Sequence, residues 1–190
     1  APKGNWVVSA FRSEGSQRAW RVVGEKGARV MSQVYTATAE EQAYTHPMIV
    51  AGDDLWGDYT LETSIVPETD AGQSGVVVRY RHDRAYYFAG VEGQKAILKR
   101  VNGGVAFRRL SETVIDEKPL ASRPGERLSV EVTVQGDVIR AVIGGSVVLE
   151  GRDPTFSQGK IGLTSDVPTR FGPVRVTCSE QARKRFLVER

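Results

Sequence analysis

Cysteine is nearly absent: Cys178 is the single one in 190 residues. An internal disulfide is therefore excluded. Cys178 closes an apolar alternation and reads as a small core or edge residue, since a nucleophile would need a histidine base beside it. Histidine is almost as scarce, with only His46 and His82, so no Cys/His cluster of metal-ligand spacing can be drawn. No apolar run approaches the ~20 residues of a membrane-spanning helix. A phosphate-cradling glycine loop and a Gly-x-Ser-x-Gly elbow are also missing, as are fixed-period repeats and low-complexity stretches. The opening Ala1-Pro2-Lys3-Gly4 is not a signal peptide. It reads as the end left after removal of one, or as a simple boundary.

What is present is ordinary for a folded domain: 40% hydrophobic and 26% charged residues, in a length that suits one core. The net charge is only +3, but it is unevenly placed. Between positions 75 and 110, Arg79, Arg81, Arg84, Lys95, Lys99, Arg100, Arg108 and Arg109 stand against Asp83 and Glu92, a local balance of +6. Such a segment is either a set of solvated strand faces or a positive surface for an acidic partner. No helix-turn-helix, zinc finger or RNA-binding aromatic motif accompanies it, so nucleic acid is not implied.

Strand signals recur at short spacing. Tyr59 to Val66 alternates Tyr, Leu, Thr and Ile on one face, and Pro67 ends it. Gly75 to Tyr80 is β-branched, Ala85 to Val91 follows a polar turn, and Lys95 to Val101 runs into Asn102-Gly103, a strong hairpin signal from which Val105 to Leu110 returns. Leu128 to Val134 sets Leu and Val against Ser, Glu and Thr, the mark of a strand with one wet face. Val138 to Ile143, Val147 to Leu149, Ile161 to Leu163 and Val174 to Thr177 continue the series, with Ala19 to Val23 and Arg29 to Tyr35 before it. Turns every ~8–12 residues indicate an all-β sandwich or barrel. Thr38 to Tyr44, with Thr38 as cap and Glu41 as its box partner, is the internal helix candidate. Residues 179–190 have a capping Ser179, good helix formers and no Gly or Pro, and read as a short C-terminal helix or linker toward a further domain.

Several ordered phrases carry a resemblance. They are Leu55-Trp56-Gly57-Asp58-Tyr59, Ser74 to Tyr80, Tyr86-Tyr87-Phe88, Leu98 to Val101, Leu128 to Val132, the Gly144-Gly145 hairpin and Gly159 to Leu163. Over roughly residues 20–178 the chain resembles the concanavalin A-like, laminin G-like jelly roll found beside bacterial polysaccharide-degrading domains. It is also similar to the N-terminal domain of rhamnogalacturonan lyase-like proteins. The resemblance implies a two-sheet antiparallel β-sandwich over 1–178 and a helical tail over 179–190 leading to an adjacent catalytic domain. It further implies a secreted or periplasmic monomer, off the membrane, that binds a polysaccharide. Some family members carry a structural calcium held in part by an Asp at the start of the last strand. Gly172 stands there in this chain, so no cofactor is expected, although Asp53-Asp54 could still offer oxygen ligands to such an ion.

Catalytic patterns of the relatives are missing. Jelly-roll glucanases place their acids as Glu-x-Asp-x-(x)-Glu on one strand, and no such run exists. A lyase would need a base near a cation, and Tyr87-Phe88-Ala89-Gly90 matches the corresponding strand only faintly. The reading is a non-catalytic carbohydrate-binding module for an acidic polysaccharide of the pectin type, with a small lyase or hydrolase, and a purely structural domain, as alternatives. The expected ligand contacts are Trp56, Arg79, Arg81, Tyr87, Lys99 and Arg108. Aromatic faces stack on sugars, and guanidinium forks pair with carboxylates. Trp56 and Tyr87 could equally be core, and Arg79 would then need an internal partner such as Glu62 or Glu92.

Overall fold

The computed structural model describes residues 5–9, 13–25 and 27–189; Ala1 to Gly4, on which the leader reading rests, lie outside them. Two antiparallel sheets face each other, as the alternating strands require. The first runs in the order β1 (Val7–Val8), β4 (Met48–Ala51), β13 (Lys160–Ser165), β6 (Gln73–His82), β7 (Ala85–Glu92), β8 (Lys95–Gly103) and β9 (Leu110–Pro119). The second runs β12 (Val147–Arg152), β11 (Val138–Ile143), β10 (Leu128–Gln135), β5 (Tyr59–Pro67), β14 (Thr169–Phe171), β3 (Ala28–Gln33) and β2 (Trp20–Glu25), with β15 (Arg175–Thr177) also paired to β5. The crossovers that set β13 beside β4 and β6, and β14 between β5 and β3, make this a jelly-roll sandwich.

The two sheets differ in how their faces are used. In β10, Leu128, Val130, Val132 and Val134 are buried while Ser129, Glu131 and Gln135 are exposed. This is the one-sided pattern the sequence predicts, and these residues join Leu61, Ile65, Tyr87, Leu98, Ile139, Leu149 and Phe171 between the sheets. The central strands of the first sheet are buried on both faces. Met48, Val50, Val77, Tyr86, Phe88, Ile97 and Val101 form a second apolar cluster on its outer side, with Tyr80 and Leu110 packed against it. Each fully buried side chain of this size contributes about 1.5–3 kcal/mol relative to exposure.

Arg79 interrupts the apolar run of β6 and is almost completely buried, at 1% exposure. The pairing of β6 with β7 breaks between Val78 and His82, and Arg79 sits in this bulge at φ 50°, a left-handed conformation costly for a side chain-bearing residue. Its main-chain N–H donates to the Tyr59 hydroxyl at 2.9 Å. Nη1 donates to the Phe156 carbonyl at 3.0 Å, while Nε and Nη2 share the Gly57 carbonyl at 3.3 Å. Asp58 lies 3.6 Å from Nη2. Desolvation pulls the guanidinium's pKa down. The partner is thus Asp58 with two carbonyls, not Glu62 or Glu92.

Other departures are local. Residue pairing of β8 with β9 continues through Asn102↔Ser111 and Gly103↔Leu110, so the expected tight Asn102-Gly103 turn is replaced by a longer turn over 104–109. The Gly104 N–H donates to the Arg109 carbonyl at 2.6 Å to close it. The capped helix appears as α2 (Ala39–Gln42), with both halves of the Thr38–Glu41 box formed. The two-residue β1 and the four-residue α1 (Glu14–Gln17) have too little periodicity to be read from sequence. The tail forms α3 (Glu180–Glu189), and Arg185 reaches back to Asp58 at 3.1 Å. Cys178 is exposed just beyond β15.

Replacing Arg79 with Ala takes the guanidinium donors from the buried Gly57 and Phe156 carbonyls and removes the ion pair with Asp58, so urea unfolding is expected to show a loss of at least about 2 kcal/mol. The exposed Arg81→Ala should stay within about 0.5 kcal/mol of the parent. Equal stability of the two variants would refute the clamp.

Candidate functional site

A polar pocket of about 450 Å³ opens at one end of the outer face of the first sheet. Its floor comes from strands and its rim from turns. Gln73 begins β6, Glu92 ends β7, Lys99 lies in β8 and Glu112 in β9, while His46 precedes β4 and Asp166 follows β13. Asp70 on the β5–β6 turn and Arg109 on the β8–β9 turn stand at the mouth. Because β6, β7, β8 and β9 are consecutive neighbours, residues far apart in sequence converge here through register alone.

Lys99 is the centre of the floor. Its side chain is buried, and Nζ donates to Glu92 Oε2 at 3.0 Å and Glu112 Oε2 at 2.9 Å. The same ammonium lies 5.3 Å from the centre of the Phe88 ring, a cation–π contact strengthened by burial. His46 is held at Nδ1 by Asp166 at 2.7 Å, and Nε2 approaches Glu112 at 3.7 Å. Burial alone would lower the His46 pKa, but the charge and hydrogen bond of Asp166, helped by Glu112, outweigh it and raise the pKa to about 9. Burial likewise opposes ionisation of Glu112, yet His46 and Lys99 hold it down at about 2. The imidazole is therefore cationic at neutral pH, between two carboxylates. Gln73 is 2% exposed, and neither its amide nitrogen nor its oxygen has a hydrogen-bond partner.

The residues expected as ligand contacts do not gather into one site. Of the six, only Lys99 lines this pocket. Arg79 is the internal clamp, and the bulge separates it from the exposed Arg81, so the two do not share a face as plain alternation predicts. Tyr87 is core: its hydroxyl donates to Asp153, accepts from the Phe156 N–H at 3.1 Å, and has its pKa pushed up to about 12, mainly by burial. Trp56 is half-buried against Tyr59, far along the chain's other edge cleft with Trp6 and Met31. Arg108 lies on the 104–109 turn, its guanidinium 4.5 Å from the centre of the Phe107 ring. Asp53 accepts from the Leu55 N–H, Asp54 faces Lys160 at 3.6 Å, and a side chain at Gly172 would collide with Ser64.

Part of the basic segment between 75 and 110 is neutralised across the sheet. Lys95 pairs with Glu117, Lys99 with Glu92 and Glu112, and Arg100 with Asp153, each acid supplied by a neighbouring strand or a distant turn. Sequence reading missed Gln73, Glu112, His46 and Asp166 as pocket residues. The usable signal was Lys99 itself: by period-2 alternation it shares a face with Ile97 and Val101, and a cation on an apolar face must find acids on the strands beside it.

No protein-family model and no curated protein sequence matches the chain. Solved structures match in fold. The carbohydrate binding module CBM66 from Bacillus subtilis superposes with a TM-score of 0.70 at 16% identity, covering 91% of this chain and 95% of that one. The GH43 BlXynB protein from Bacillus licheniformis gives 0.58 at 11% identity over 85% of this chain, but only 35% of its own. The xylan beta-1,4-xylosidase from Bacillus halodurans gives 0.54 at 10% identity, covering 78% of this chain and 33% of that chain. These likenesses establish the fold, a β-sandwich jelly roll.

The His46 site predicts an alkaline limb in stability. Its pKa is raised on folding from 6.5 to about 9, so its contribution is complete below about 6.5 and is lost as pH rises through about 9. Glu112, lowered on folding from 4.5 to about 2, loses its contribution as pH falls through that lower range. Unfolding free energy measured across this range should fall on both sides, and His46→Asn should flatten the alkaline limb. A parent profile without that limb would contradict the buried imidazolium.

Proposed function

We propose that the domain binds carbohydrate without cleaving it, seating sugar hydroxyls in the pocket around Lys99. One observation carries this reading: the buried Gln73 amide has no protein partner on either of its polar atoms. Buried polar groups are almost always satisfied, and a hydroxyl, which both donates and accepts, meets both needs. Around it, Asp70, Glu92, Glu112 and Asp166 stand against Lys99, Arg109 and the protonated His46, a surplus of one negative charge. That balance favours the hydroxyls of a neutral sugar and disfavours a uronate carboxylate in the pocket itself. The fold shared with the CBM66 module supports the binding role, and the GH43 protein, in which the matched fold is about a third of the chain, supports a place beside a catalytic domain; a secreted or periplasmic location belongs to the same proposal.

The acidic-polysaccharide reading retains Arg109 at the mouth and Arg108 on the adjoining turn as its support. A hydrolase reading has two carboxylates, Glu92 and Glu112, on one ammonium. Of these two, Glu112 is held near 2, the opposite of the raised pKa a carboxylic proton donor needs.

A glycan array probed with this domain, followed by affinity electrophoresis in xylan, neutral glucan, polygalacturonate and rhamnogalacturonan gels, tests the proposal. Retention by a neutral gel is expected, without new reducing ends or unsaturated uronate. Glu92→Gln and Asp70→Asn should each weaken binding about tenfold, the scale of a hydrogen bond to a charged group. Retention only by the acidic gels would restore the uronan reading, product formation would make the domain an enzyme, and no retention anywhere would leave it structural.

A further inference from the structure

The 104–109 turn displays what a soluble domain usually hides. Phe107 is 80% exposed and Val105 is fully exposed at its tip. A single exposed apolar residue means little, but two on one short turn beside a polar pocket form a patch. The turn is built to hold that display. Its ends are tied by the Gly104–Arg109 hydrogen bond, and the Leu110 N–H is anchored to the Ala43 carbonyl at 2.9 Å. Arg109 lies over the Tyr44 ring at 5.5 Å. Arg108 takes φ 63°, a conformation that costs about 1–3 kcal/mol for a residue other than glycine. In that conformation its guanidinium lies over the Phe107 ring, which restricts the ring and leaves its remaining surface to water. Arg109 and Leu110, the next residues along, form the pocket wall.

We infer that Phe107, steadied by Arg108, is a second sugar subsite, an aromatic platform for a residue of the chain that continues out of the pocket. The inference rests on the carbohydrate reading of the pocket and extends it: the ligand is an oligosaccharide or polymer, not a free monosaccharide. The chemistry is complementary. The pocket meets hydroxyls with carboxylates and an amide, whereas Phe107 meets the C–H face of a sugar ring, which is apolar. The Arg108 guanidinium already packed on the ring lowers the cost of ordering it against a ligand.

Ladders of xylan, arabinan and β-glucan fragments from monosaccharide to hexasaccharide, titrated by calorimetry, separate the two ideas. The parent domain should bind longer members more tightly. Phe107→Ala should remove that gain, weakening the longer members about tenfold while leaving the monosaccharide unchanged. Val105→Ser serves as the control for turn solubility and should leave both unchanged. Glu92→Gln should weaken short and long members alike. If the parent binds but Phe107→Ala matches it at every length, or falls equally at every length, the second subsite is wrong and the pocket reading stands. If the parent binds no member of any ladder, both fall.

Discussion

The constraint on which this structure turns is that its first sheet is apolar on both faces. The inner face closes the sandwich core in the ordinary way. The outer face carries Tyr86, Phe88, Val77 and Ile97, all buried, and cannot be left to water. Leu110 and Tyr80 pack over that cluster, and the anchoring of Leu110 to Ala43 ties the β8–β9 connection to the segment after α2. The pocket lies where this cover meets the polar ends of β6 and β7. It is the margin of a hydrophobic solution, which is why its floor is deep enough to bury a lysine.

Two buried cations show how environment assigns different roles to similar side chains. Arg79 is met by main-chain carbonyls and one aspartate, so its fork is fully used in tying β6 to the 57–58 and 156 segments. Lys99 is met by two carboxylates; the second oxygen of Glu112 faces His46, whereas Glu92 meets the ammonium through Oε2 alone. The first arrangement is spent mostly on main-chain carbonyls and serves the fold. The second is open on one side, with acceptors still available to a ligand.

The sandwich was legible because β10, β5 and the central hairpins alternate or run apolar over whole strands. The helix at 38–44 was legible because a capping box is a local device. The site was not, because nothing local distinguishes Lys99 as a partner of Glu92 and Glu112 from Lys99 as a surface cation. That depends on which strands pair and in what register. Arg79 and Arg81 illustrate the failure: period-2 reasoning puts them together, and a bulge marked only by an arginine at positive φ moves one into the interior. Likewise Asn102-Gly103 predicts a tight turn, but the ladder extends past it and displaces the turn to 104–109, with Phe107 at its exposed tip.

The division of the pocket into strand-borne floor and turn-borne rim has an evolutionary reading. Lys99, Gln73 and His46 are committed to the packing beneath them, so a change there is judged first by folding. Asp70 stands on the β5–β6 turn, where substitutions are tolerated more readily than in the sheet, and Arg109 on a turn tied through Tyr44 and Ala43. On the carbohydrate reading, changes on the rim would alter which ligand is preferred sooner than whether one is held at all, and a library randomised there would sample specificities on an intact scaffold.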